Sequence, residues 1–164
     1  MENQYARLEK SIRGLTMFFI VALVLSGLTA FPLETELKWL VGLTNDSNTW
    51  MTQWLKRVHE GIKDTNKQYP FMAYGSDWLA FAHLGIAVVF IGPLKDPVRN
   101  IWVIQFGMIA CLMIFPLAFI AGEIRGIPIA WRLIDCAFGA FGLIPLAACY
   151  IKIKRLAHLK KITS

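Results

Sequence analysis

Four stretches of the sequence hold almost no charged side chains and are long enough to cross a lipid bilayer. A transmembrane helix needs ~20 mostly apolar residues, with ~17 as the lower end. The stretches are residues 15–31, 78–94, 101–121 and 133–151. Backbone groups inside a bilayer have no water to bond, so an apolar segment of this length is stable there as a helix. We therefore expect an all-α integral membrane protein with four transmembrane helices in an up-down bundle.

The composition agrees with this expectation. Charged residues make up 17% of the chain and hydrophobic residues 56%, whereas soluble domains carry about 25% charged residues. At 164 residues the chain is short for a second folded domain, so we expect one membrane domain over residues 1–164. Three cysteines lie inside the apolar stretches, where a thiol behaves as a small hydrophobe; they are Cys111, Cys136 and Cys149.

Basic residues at the ends of the apolar stretches predict the orientation. Cytoplasmic loops of membrane proteins carry an excess of Lys and Arg. Three basic clusters fall on one side of the predicted bundle: Arg7, Lys10 and Arg13; Lys95 and Arg99; and Lys152, Lys154, Arg155, Lys160 and Lys161. This pattern predicts cytoplasmic N- and C-termini in a bacterial inner membrane. The formal charge of +6 serves topology here, and without a basic, aromatic-rich stripe it does not predict nucleic-acid binding.

The first apolar stretch also has the charged start of a secretory signal peptide. Its apolar part is longer than the ~7 to 15 residues usual for such signals. Leu28 would occupy the third position before a cut after Ala30, where a small residue is preferred. We therefore interpret this stretch as a retained membrane anchor.

The loop between the first two spans contains two amphipathic segments. From Trp50 to Lys63, apolar residues recur at helical spacing on one face: Met51, Trp54, Leu55, Val58 and Ile62. Residues 33–43 show a shorter version of the same pattern, and 45–48 reads as a turn. We expect one or two amphipathic helices capping the outer, periplasmic side of the bundle.

Polar residues concentrate near the outer ends of the predicted spans. His83 and Asp135 lie within spans, Glu123 just beyond one, Arg132 at the start of the fourth, and His59 in the amphipathic segment. Asp135 shares a helical face with Gly139, Gly142 and Leu146, and small residues mark surfaces where membrane helices pack closely. Ionisable groups inside a membrane are costly and are functional-site candidates by default.

This set of residue types predicts a transition-metal site. Imidazole and carboxylate ligands suit Zn, Fe, Mn or Cu, and His59, His83, Glu123 and Asp135 would leave a position open for substrate. Glu123 and Asp135 are alternatively acid or base groups, with Arg132 orienting a carboxylate or an anionic substrate. On this hypothesis the protein is a metal-dependent membrane enzyme or redox protein. The chain contains no HExxH, CxxC or similar metal signature.

Two other interpretations stay open. Arg132 and Asp135 stand three residues apart, close enough for an intrahelical ion pair, so the polar cluster is alternatively structural. The protein would then be a non-enzymatic binding, transport-accessory or assembly subunit in the lipid bilayer, partnered by another membrane protein or by copies of itself. In the third interpretation His59 and His83 ligate a b-type haem.

Overall fold

The computed structural model describes residues 2–44 and 49–163, which form α-helices joined by short turns. The helices are α1 Glu2–Ala30, α2 Leu33–Leu43, α3 Trp50–Gln68, α4 Tyr74–Val89, α5 Ile91–Lys95, α6 Ile101–Pro116, α7 Gly122–Ile124 and α8 Ile129–Thr163. A single 3-10 turn over Pro70–Ala73 precedes α4, and a π-helical turn over Leu117–Ala121 joins α6 to α7. The all-α prediction is confirmed.

Within the described residues, four helical segments are long and apolar enough to cross a membrane. They are Gln4–Ala30, Pro70–Lys95, Ile101–Ile124 and Ile129–Lys160. Only 17% to 28% of the residues in the most apolar part of each segment are buried inside the protein. An apolar helix that leaves most of its side chains uncovered needs an apolar solvent, so these segments are those of a multi-pass membrane protein.

Two of the helices extend well beyond the apolar stretches predicted from the sequence. Helix α1 begins at Glu2 rather than near residue 15, and α8 continues to Thr163 rather than stopping near residue 151. Ile12 in the added part of α1 is fully buried, as are Ile153 and Leu156 in the added part of α8. Tertiary packing of these apolar residues stabilises helix where the basic flanks suggested its end.

The contacts divide the chain into two compact units, residues 1–21 with 87–164 and residues 22–86, and the boundaries fall within α1 and α4. In the first unit α6 and α8 pack antiparallel. A Cβ at Gly139 would lie 2.7 Å from the Cys111 carbonyl oxygen, and a Cβ at Gly107 would lie 3.0 Å from Leu146 Cδ1. The glycines let the two backbones approach closely, which confirms that the face of α8 carrying Asp135 packs against a neighbouring helix.

Proline residues set the breaks in the spans. Proline has no N–H, so Pro93 cannot bond the Val89 carbonyl, and α4 ends at Val89. The second span then resumes as α5, in which Pro93 is buried. Pro116 ends α6 and is followed by the π-helical turn, whereas Pro145 lies inside the continuous α8.

The two amphipathic segments are helical. Helix α2 has the predicted bounds, and α3 begins at Trp50 as predicted but ends at Gln68, five residues later than Lys63. The hydroxyl of Thr49 caps α3 by accepting a hydrogen bond from the Thr52 N–H at 3.3 Å. The side of α3 that is buried centres on Thr52 and Leu55, while Met51 is exposed. The turn predicted at 45–48 lies outside the described residues.

Candidate functional site

The connection between the third and fourth spans is a tight helix C-cap. Gly126 adopts φ +66°, a left-handed conformation that glycine reaches without steric cost. The N–H of Ile127 donates to the Gly122 carbonyl at 2.9 Å, and the N–H of Gly126 donates to the Glu123 carbonyl at 3.0 Å. Pro128 then precedes the first residue of α8. The local sequence therefore forms a short, well-bonded turn a few residues before Asp135 in the chain.

Arg132 fastens this turn to the start of α8. Its Nε donates to the Ile127 carbonyl at 2.6 Å, and its Nη1 forms a hydrogen-bonded ion pair with Glu123 Oε2. The stem of Arg132 lies across Gly122, where an added Cβ would be 2.9 Å from Arg132 Cδ. The Arg132 side chain is 11% exposed and that of Glu123 is 73% exposed. Two of the predicted site residues are thus joined, and both hold the turn.

Asp135 is left without the partner that the structural interpretation gave it. The guanidinium of Arg132 goes to Glu123 and to the turn instead. Among the described residues, the Asp135 carboxylate has neither a hydrogen bond nor an ion pair. It is half-buried and lines a cleft of about 260 Å³. The other lining residues are Arg125, the small residues Ala118, Ala121 and Gly122, and the apolar residues Ile114, Leu117 and Ile127.

The two predicted histidine ligands lie in the unit formed by residues 22–86, and both are half-buried. His83 Nδ1 is 2.8 Å from the Leu79 carbonyl oxygen one turn earlier in α4. If Nδ1 carries the proton, Nε2 keeps its lone pair. The base of the His83 side chain faces α1, since a Cβ at Gly27 would be 3.2 Å from His83 Cβ. His59 lies midway along α3.

The predicted metal ligands are divided between the two units. His59 and His83 belong to residues 22–86, whereas Glu123, Arg132 and Asp135 belong to the unit with residues 87–164. In the part of the chain that the structure describes, no three His, Cys, Asp or Glu side chains form a group that could hold a metal ion. The metal and haem interpretations therefore stay predictions.

A second cleft, which the sequence analysis did not anticipate, lies within residues 22–86. It has a volume of about 690 Å³ and is lined by the turn after α1, the start of α2, one side of α3, the 3-10 turn and the start of α4. Asn66 Nδ2 donates to Glu34 Oε2 at 2.7 Å across the cleft, joining α3 to α2. The available signal was Val58 and Ile62 in the apolar stripe of α3, continued by Thr65 at the same helical spacing. That spacing shows which face of α3 is apolar but not which segments pack against it, so it does not predict a cleft.

Comparison with known proteins adds no functional information. No protein-family model, no curated protein and no solved structure matches this chain.

Proposed function

We propose that this multi-pass membrane protein is a non-enzymatic binding or assembly subunit of the bacterial inner membrane, and that Asp135 is its binding group. In this proposal the four spans run up-down with cytoplasmic termini, and α2 and α3 cover the periplasmic side. The observation that carries the proposal is the set of partners that Arg132 bonds. This residue pairs with Glu123 and the Ile127 carbonyl, and the Asp135 carboxylate is left open to the cleft.

The chemistry of these residues supports binding over catalysis. Glu123 and Arg132 are bonded to each other, and Arg132 also to the turn, so a structural role accounts for both. An ionisable side chain inside a membrane-spanning segment is costly unless it is paired. Asp135 lies near one end of the fourth span, in a mostly apolar cleft, and among the described residues it forms no ion pair with Arg125, the basic residue of the lining. A bound group that supplies a cation or a hydrogen-bond donor would therefore recover part of this cost. The basic or polar side chain of a partner helix has that chemistry.

Asp135→Asn tests this proposal, with Asp77→Asn as the matched control. Asp77 is also a half-buried carboxylate at the end of a span, but it lies at the start of α4 and lines a different cleft. We expect cross-linking in intact membranes, followed by mass spectrometry, to recover a membrane partner or a second copy of the chain. The yield should fall about tenfold for Asp135→Asn, the loss expected for a charge-assisted hydrogen bond, and stay unchanged for Asp77→Asn. Equal yields for wild type and Asp135→Asn would contradict the proposal.

The metal-dependent enzyme is the second candidate, and the hydrogen bond of His83 favours it. Histidines that ligate metals usually donate their other ring N–H to a carbonyl or carboxylate, as His83 Nδ1 does if it is protonated. Elemental analysis and an absorption spectrum of the purified protein distinguish the candidates. Near-stoichiometric Zn, Fe, Mn or Cu that is lost in folded His83→Ala and Asp135→Asn proteins would replace the binding proposal with this one. A Soret band lost in His59→Ala and His83→Ala would favour haem.

A further inference from the structure

The cleft between α2, α3 and α4 has the size of a small-molecule site. Its volume of about 690 Å³ falls in the range of ~300 to 1,000 Å³ that is usual for ligand pockets. All of its lining residues belong to the unit 22–86. It begins where the first span ends at Ala30 and where the second begins at Pro70. A ligand in this cleft would therefore sit at the boundary between the membrane and water.

The lining of the cleft carries a negative charge. Among the described residues that line it, Glu34 is the one charged side chain. Its partner Asn66 is a neutral amide, which fixes the position of the carboxylate through the 2.7 Å hydrogen bond and leaves its charge in place. Glu34 is half-buried, so its charge is less screened by water than that of a surface carboxylate. The cleft should therefore favour a cation.

Three hydroxyl groups line the cleft, those of Thr35, Thr65 and Ser76, and the latter two are arranged as acceptors. Thr65 Oγ1 donates its proton to the Gly61 carbonyl at 2.7 Å, and Ser76 Oγ donates to the Ala73 carbonyl at 2.6 Å. A hydroxyl has one proton and two lone pairs, so each of these groups has only lone pairs left to offer a ligand. Together with the Glu34 carboxylate they suit a group with several N–H donors. A primary ammonium has three donors and a positive charge.

The remaining walls of the cleft are apolar, chiefly Phe31, Leu33, Val58, Ile62 and Met72. We propose that this cleft binds an amphiphilic primary amine, with its ammonium group at Glu34 and its hydrocarbon part along these side chains. An aminophospholipid fits less well, because its phosphate would meet a lining that offers no cation. This inference is independent of the role proposed for Asp135.

Titration calorimetry of the full chain in phosphatidylcholine nanodiscs tests the proposal, with octylamine as the probe and empty nanodiscs as the reference. We expect saturable binding of octylamine to the wild type. Glu34→Gln should weaken it about tenfold or more, since the amide can still bond Asn66 but carries no charge. Glu36→Gln is the matched control, because Glu36 lies on the same helix outside the cleft lining, and it should bind as the wild type does.

A second variant tests the cleft by filling it. Gly61 lines the cleft, and a Cβ there would meet no atom within 4 Å, so the side chain of Gly61→Leu starts in open space and raises the helix propensity. This variant should keep the wild-type unfolding temperature and lose octylamine binding. The proposal is overturned if the wild type shows no saturable binding, if Glu34→Gln and Gly61→Leu both bind like the wild type, or if octanol or octyl phosphate binds as tightly as octylamine.

Discussion

At the residue scale, Arg132 is predicted to matter more for stability than the carboxylate it pairs with. Glu123 is largely exposed, and exposed ion pairs contribute only about 0–1 kcal/mol. Arg132 also donates to the Ile127 carbonyl and covers Gly122 with its stem. We therefore expect Arg132→Ala to lower the free energy of unfolding by about 1–3 kcal/mol, and Glu123→Gln by less than about 1 kcal/mol.

Thermal or denaturant unfolding of the two variants in the same detergent, followed by circular dichroism, measures the difference. Raising the salt concentration is the control, because it screens the exposed ion pair and should bring the wild type closer to Glu123→Gln. It should change Arg132→Ala little. If Glu123→Gln proves as destabilising as Arg132→Ala, the ion pair rather than the bond to the turn holds this connection.

Gly126 gives a second prediction at this scale. Its φ of +66° is left-handed, and a Cβ there would meet no atom within 4 Å, so the cost of a larger residue is conformational alone. Gly126→Ala should lower the free energy of unfolding by about 1–2 kcal/mol. Gly126→Asn should cost less, since asparagine tolerates this conformation better. The same unfolding assay ranks the two, and an unchanged Gly126→Ala protein would mean that the turn adopts another conformation.

The sequence alone did not predict which carboxylate forms the ion pair with Arg132. Asp135 lies within reach on the same helix, and Glu123 lies across a loop of uncertain geometry. The pairing depends on the left-handed Gly126, which reverses the chain so that the Ile127 carbonyl and Glu123 both meet Arg132. The sequence did predict that Asp135 faces a neighbouring helix, because Gly139, Gly142 and Leu146 mark that face.

At the scale of secondary structure, the centres of the helices were predictable and several of their ends were not. Apolar runs and amphipathic spacing gave all four spans, both bounds of α2 and the start of α3. Helix α3 extends beyond its apolar stripe because Thr65 bonds the Gly61 carbonyl within the helix and Asn66 bonds Glu34 of α2. Such contacts between distant segments leave no periodic signal in the sequence.

The contact between α6 and α8 gives a prediction at this scale. A methyl group at Gly139 would lie 2.7 Å from a backbone oxygen of α6, which can yield only if the helices move apart. Gly139→Ala should therefore lower the free energy of unfolding by about 1–3 kcal/mol. Gly85→Ala in α4 is the matched control. An added Cβ there meets no atom within 4 Å, so this variant should be neutral or up to about 1 kcal/mol more stable.

Parallel unfolding measurements on the two alanine variants show whether the contact between α6 and α8 requires a glycine at position 139. If Gly139→Ala is as stable as Gly85→Ala, the two helices can separate at no cost, and the glycine is not needed for their contact. A loss confined to Gly139→Ala would instead identify this crossing as the tight point of the α6–α8 pair.

At the scale of the whole molecule, the positive charge is concentrated in the segments predicted to face the cytoplasm. Residues 1–14, 95–100 and 152–164 hold ten of the 17 basic and three of the 11 acidic residues, a net charge of +7. The rest of the chain then carries a net charge of −1, which together with +7 gives the formal +6. Such an imbalance is the usual determinant of orientation, so we predict that both termini lie in the cytoplasm.

Cysteine labelling in intact spheroplasts tests this orientation, because the three native cysteines are buried and should give little background. The three apolar stretches 78–94, 101–121 and 133–151 separate Lys67 from Lys154, and an odd number of crossings puts these two exposed residues on opposite sides. A membrane-impermeant maleimide should label Lys67→Cys in intact spheroplasts and Lys154→Cys only after the membrane is opened. The reverse pattern would invert the orientation while keeping all four spans. Labelling of both in intact spheroplasts would mean that one of the three segments between them does not cross, because only an even number of crossings returns the chain to the same side.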